Sequence, residues 1–120
     1  MPMIGEIQMF AGGFVPAGWT PCDGHLEPIT STAAALFSVI GTTYGGDGSR
    51  TFAVPDLRGR VAIHGPAIGT VGGGGGLAPM QCAAGAGTDV MAAAGGADNH
   101  QPYLVVQFII ATTGTYPTRS

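Results

Sequence analysis

"TTYGGDGSRTFAVPDLRGR", residues 42–60, holds Arg50, Arg58 and Arg60, three of the four cationic side chains in a chain without lysine. Gly45, Gly46 and Gly48 mark a loop whose backbone goes where other residues do not easily follow. "RTFAVPD" then reads as a short strand, "PDLRG" as a turn and "GRVAIHG" as a second strand. Pro55 presets the turn, and Asp56 can accept backbone N–H groups there, or a bidentate arginine. Arg58 and Arg60 stand two apart, on one side of an extended segment, with Gly59 at a bend between them. Two readings compete: a site for an anion, or an Asp–Arg–backbone network that closes the fold. The stretch lacks the Lys-Ser/Thr ending of a phosphate loop and runs into a strand rather than a helix N-terminus. The closed network is the better reading, because polar groups at the turn of a small domain have to satisfy one another.

On either side the chain punctuates itself clearly. Upstream, "IGEIQMFA" (4–11) alternates loosely before Gly12-Gly13 and reads as a strand. "FVPAGWTPCDG" (14–24) is rich in turn residues, with Trp19 and Cys22 expected to point inward. "EPITSTAAALFSVIGTTYGG" reads as one helix followed by a loop. Thr30 or Ser31 is its expected cap, Leu36, Phe37, Val39 and Ile40 its apolar face, and Gly41 its end. Downstream, "YLVVQFIIATTG" (103–114) is the strongest strand signal and should return beside the N-terminal strand. Between them, residues 65–97 carry eleven Gly and nine Ala and show almost no hydrophobic periodicity. That segment loses too much backbone entropy to pack alone. It is either a flexible linker or a place where copies of the chain approach glycine to glycine. The expected organisation is a core at 1–64, a Gly/Ala-rich insert at 65–98 and a returning strand at 99–120.

Composition narrows the function. The chain has 120 residues, net charge −3 and 9% charged residues, against roughly 25% in an ordinary globular protein. A surface so poor in charge exposes apolar area and tends to associate. No basic cluster exists to neutralise phosphates, so nucleic acid is not an expected partner. No apolar run reaches a membrane span, and the first residues lack the basic and apolar regions of a secretory signal. Cys22 and Cys82 lie 60 residues apart without a CxxC spacing. Free, buried thiols are expected, with a disulfide as the alternative.

Catalytic chemistry finds little support. His25, His64 and His100 stand singly in sequence, with no HExxH or His-x-His, so no metal and no cofactor is expected. No serine lies in G-x-S-x-G, and no carboxylate spacing argues for sugar hydrolysis. The chain is not expected to be an enzyme, and no catalytic residue is nominated.

The order of motifs, "GWTPCDG", "LFSVIGTTYGGDG", "FAVPDLRGR" and "QPYLVVQFIIA", resembles the phage tail collar family over residues 5–64 and 99–119. Matched residue by residue, the motifs hold Trp19, Cys22, Asp23 and Gly24, then Leu36, Gly41, Tyr44, Gly45, Gly46, Asp47 and Gly48. They continue with Phe52, Pro55, Asp56, Leu57, Arg58, Gly59 and Arg60, and end with Gln101, Pro102, Tyr103 and Phe108. The resemblance implies that these residues determine the fold rather than catalyse. It also implies an α+β, mostly-β collar domain with one short helix, oligomeric, most often trimeric, in a tail fibre or tail-like particle. Implied partners are the chain itself, as a closed oligomer or filament, other tail proteins, and a host surface receptor. In the middle the sequence departs from the family: "LAPMQCAAGAGTDVMAAAGGADNH" stands where relatives often carry paired histidines that hold a metal. The alternative function is a receptor- or glycan-binding tip built from residues 65–98.

Overall fold

A computed structural model describes residues 1–74, 81–82, 91–92 and 102–118. They belong to two compact units, Met1–Asp56 with Val105–Ser120, and Leu57–Leu104. In the first unit, the strand signals at the two ends of the chain meet. Strands β1 (Ile7–Phe10) and β2 (Trp19–Pro21) both pair with the C-terminal strand Gln107–Ala111, which lies between them. Both pairings are antiparallel, with Ile7 opposite Ile110 and Trp19 opposite Ala111. The central strand therefore spends its backbone groups on two neighbours. Ile109, Ile110 and Ala111 are consecutive and all buried, so both of its faces are covered. The expectation that this segment returns beside the N-terminal strand holds. Residues 103–106, however, lie outside the strand.

A second, two-stranded sheet pairs β3 (Leu26–Pro28) with β4 (Thr51–Ala53), Glu27 standing opposite Phe52. Here the sequence reading is corrected twice. Glu27 and Pro28 belong to a strand, not to the start of a helix. Pro28 has no N–H and is tolerated because β3 is an edge. "GRVAIHG" is not a strand: β4 pairs with β3 instead, and Val61 and Ile63 stand 78% and 84% exposed.

The helix α1 is shorter than its pattern, Ala34–Ile40. Neither Thr30 nor Ser31 caps it. The cap is Ala33, without a side-chain bond, and the carbonyl of Thr30 accepts the N–H groups of Ala33 and Ala34 in a preceding turn. Gly41 ends the helix at a φ of 57°, as expected, and donates its N–H to the Phe37 carbonyl. Leu36 from α1, Phe52 from β4, Val54 just beyond it and Ile110 from the central strand are the largest fully buried side chains. Phe37 adds a tilted ring contact with Phe52, centroids 5.5 Å apart. The terminal segments are tied together, since Ile4 N–H donates to the Thr115 carbonyl and Thr115 N–H to that of Pro2. The hydroxyl of Tyr116 meets that of Ser38 on α1 at 2.8 Å.

The second unit holds a turn in which Arg60 N–H donates to the Leu57 carbonyl, a 3-10 turn at Ile68–Thr70, and an antiparallel pair of β5 (Gln81–Cys82) with β6 (Met91–Ala92). The C-terminal strand of the first unit, Gln107–Ala111, is β7 in chain order. Most of the Gly/Ala segment, with His100, Gln101 and Arg119, lies outside the described residues. No helix among the described residues is long and apolar enough to cross a membrane.

Candidate assembly surface

Residues 7–22 contain no charged side chain and no histidine. In the fold this run supplies both outer strands of the three-stranded sheet, β1 and β2, and the loop between them, and its exposed apolar side chains lie on β1 and that loop. Ile7 and Met9 alternate onto one face of β1, and both are exposed, Met9 at 69%. Ala111 N–H donates to the Glu6 carbonyl at 2.9 Å. The antiparallel alternation then directs Gln8 and Phe10 toward β7 and the backbone groups of Ile7 and Met9 away from it. Among the described residues no strand pairs with that edge. The loop that follows keeps Phe14 65% exposed, with Val15 beside it also exposed. Phe14 is not loose. Its ring meets Phe10 edge-to-face at 5.3 Å, and the Gln107 amide on β7 donates to the Gly12 and Phe14 carbonyls, the latter at 3.0 Å.

The sequence-predicted motif residues fall in several places. Trp19 is half-buried on β2, and Cys22 beyond it is free and 4% exposed. Burial, with the charge of Asp23 beside it, pushes the Cys22 thiol up to about 11. The backbone of Asp23 bridges to that of Asp56, and Gly24 N–H donates to the carbonyl of the buried Pro55. Tyr44 is half-buried; burial first, and the nearby Cys22 second, raise its phenol above the ordinary value. Gly45 and Gly46 both take positive φ, and Ala53 N–H donates to the Gly45 carbonyl. Asp47 is exposed, yet its Oδ1 accepts the N–H groups of Ser49, Arg50 and Thr51 at 2.9 to 3.0 Å. Those bonds, from Arg50, Thr51 and Ser49 in order of effect, lower its carboxyl to about 2. Asp47 is thus the organising acceptor of the loop. Arg58, Gly59 and Arg60 lie in the second unit, with Gly59 at a φ of 65°; Asp56, Arg58, Arg60 and Tyr103 all have interaction partners. Pro102 and Tyr103 are in that unit too, and Gln101 is outside the described residues.

A polar cluster escaped the sequence reading. His25 Nδ1 contacts Asp23 Oδ1, and its Nε2 lies 2.6 Å from Glu27 Oε1. Thr20 Oγ1 stands 3.4 Å from the same Nε2 and 3.5 Å from Glu27 Oε1. The signal was legible in "DGHLE": residues at i, i+2 and i+4 of an extended segment share a side. Burial lowers the imidazole, but hydrogen bonds to Asp23 and Glu27 and their charges outweigh it, and the His25 pKa is raised. Burial raises Asp23, and the His25 contacts overcome it and lower the carboxyl. Thr20 is only 8% exposed and its histidine neighbour is already held by two acids, so the group does not form a nucleophile and base. Among the described residues no group of His, Cys, Asp and Glu could hold a metal ion.

Compared with protein families, residues 5–62 match the model of the Phage Tail Collar Domain. No curated protein matches the sequence.

Proposed function

Because this chain carries a phage tail collar domain at residues 5–62, we propose that it is a structural component of a phage or phage-like tail, of the collar or tail-fibre kind, that self-associates. The observation that carries self-association is the uncharged run of β1 and the loop after it, which exposes Ile7 and Met9 on one face of β1 and Phe14, packed on Phe10 and held by Gln107, beside the other. A rigid apolar surface loses little conformational entropy when it is covered, so covering it favours association. Copies of the same chain and neighbouring tail proteins are the partners, and the virion tail is the location. In this reading residues 1–64 and 99–120 form the collar core, and 65–98 is an insert that packs between subunits. Trp19, Cys22, Asp23, Gly24, Tyr44, Gly45, Gly46, Asp47, Pro55, Asp56, Arg58, Gly59, Arg60, Gln101, Pro102 and Tyr103 serve as fold determinants.

The test is the native mass, by light scattering with negative-stain imaging of the same sample. A closed oligomer, a trimer above all, is expected, and Met9→Lys should shift it toward smaller species. A monodisperse monomer at micromolar concentration would overturn self-association. Deleting residues 70–97 separates the receptor-binding alternative: loss of cell binding with the oligomer intact would place recognition in that segment.

A further inference from the structure

The His25 cluster has a geometry that only one protonation state satisfies. Both ring nitrogens face carboxylate oxygens, Nδ1 toward Asp23 and Nε2 toward Glu27. A neutral imidazole carries a single N–H, so one of these contacts would set a lone pair against an anion. The imidazolium donates to both. Each participant is also anchored to a different part of the first unit. Thr20 sits on β2, opposite Ile110 of β7. Asp23 accepts the His25 backbone N–H at 3.2 Å and bridges by its own backbone to Asp56. Glu27 is on β3, which among the described residues pairs only with β4, and the His25 carbonyl accepts Val54 N–H at 3.2 Å.

We infer that Asp23, His25 and Glu27, meeting Thr20 of β2, form a proton-dependent clasp between the three-stranded sheet and the β3–β4 pair, closed while His25 is charged and opened at Glu27 when it is neutral. Asp23 keeps the remaining N–H, because its Oδ1 also accepts the His25 backbone N–H and is fixed beside the ring by it. Released, Glu27 no longer links Thr20 to β3. Among the described residues, further titratable groups beside the clasp include Cys22, next to Asp23, and Asp56, whose Cβ lies 3.0 Å from where a Gly24 Cβ would stand. Arg50, whose carbonyl accepts the Ile29 N–H beyond the end of β3, is a further charged group beside that strand pair. None of these groups supplies a second proton for Nε2. The raised His25 affinity makes the clasp's contribution complete below about pH 6.5 and lost as pH rises through the folded-state value. Asp23, lowered, contributes above about pH 4 and loses its share as pH falls.

The experiment is an NMR titration of the full-length chain, following the His25 ring protons together with the Val54 amide. A His25 midpoint above the roughly 6.5 of a free histidine is expected. Val54 protection, corrected for the intrinsic exchange rate, should be lost through the same midpoint. Glu27→Gln should lower the midpoint and leave Val54 less protected at acid pH, with the chain still folded. A His25 midpoint at or below that of free histidine would overturn the clasp. So would Val54 protection that stays constant while His25 titrates.

Discussion

Gly46 shows how one position can carry a loop. Its φ is 93°, and a Cβ there would press into the Phe52 backbone and lie 2.8 Å from the Thr51 carbonyl oxygen. A side chain faces both backbone strain and a collision with rigid atoms, so Gly46→Ala should cost at least about 2 kcal/mol. Gly13→Ala is the control, since nothing lies within 4 Å of that Cβ and the change should stay within about 0.5 kcal/mol. Denaturant midpoints compare the two. Asp47, beside Gly46, accepts three backbone N–H groups, so Asp47→Asn should retain more stability than Asp47→Ala. Its carboxyl is lowered to about 2. The wild-type stability that it supplies is therefore complete above about pH 4 and lost as pH falls toward 2. Melting curves across that range should be flatter for Asp47→Ala. At Cys22, burial and a thiol raised to about 11 predict slow alkylation in the folded chain at pH 8 and fast alkylation in denaturant, read by peptide mass spectrometry.

Among the elements, β7 has the largest role, because β1 and β2 pair with it and not with each other. A chain ending at Val106 leaves two short strands without partners, so it should give no cooperative unfolding transition in circular dichroism. A native-like transition would show that β1 and β2 hold without it. Leu36 on α1 is wholly buried, and Leu36→Ala should cost about 2–5 kcal/mol in chemical denaturation. The legibility of the elements follows from where their information lies. β7 is dense in Ile and Phe, and α1 in Ala and Leu, so local propensity and tertiary need agree. β3 has three residues, including a proline and a glutamate, and exists because Thr51–Ala53 offers it a partner. Val61-Ala62-Ile63 has the strand pattern without the pairing.

For the whole molecule, the exposed apolar side chains of β1 and the low charge point the same way. If copies cover those side chains, folding and association are linked, and the melting temperature should rise with protein concentration. A melting temperature that does not change over a hundredfold dilution would separate the fold from any oligomer. The uncharged run 7–22 was visible as composition, but not as a surface. It took the pairing of β1 with β7 to leave Ile7 and Met9 exposed, and the Gln107 bonds to the 12–14 loop to hold Phe14.

Composition, the glycine and proline positions, the helix end at Gly41 and the return of Gln107–Ala111 could all be read in the linear chain. Each depends on a residue's own conformational range or on a periodicity within a few neighbours. The motif order also pointed to the collar family, which the match at residues 5–62 bears out. The pairing of β3 with β4, the loss of a strand at 61–63, the acceptor role of Asp47 and the closure of Asp23, His25 and Glu27 were settled in three dimensions. Strand pairing depends on which distant backbone is available, and a histidine's charge on which carboxylates the fold brings to its two nitrogens.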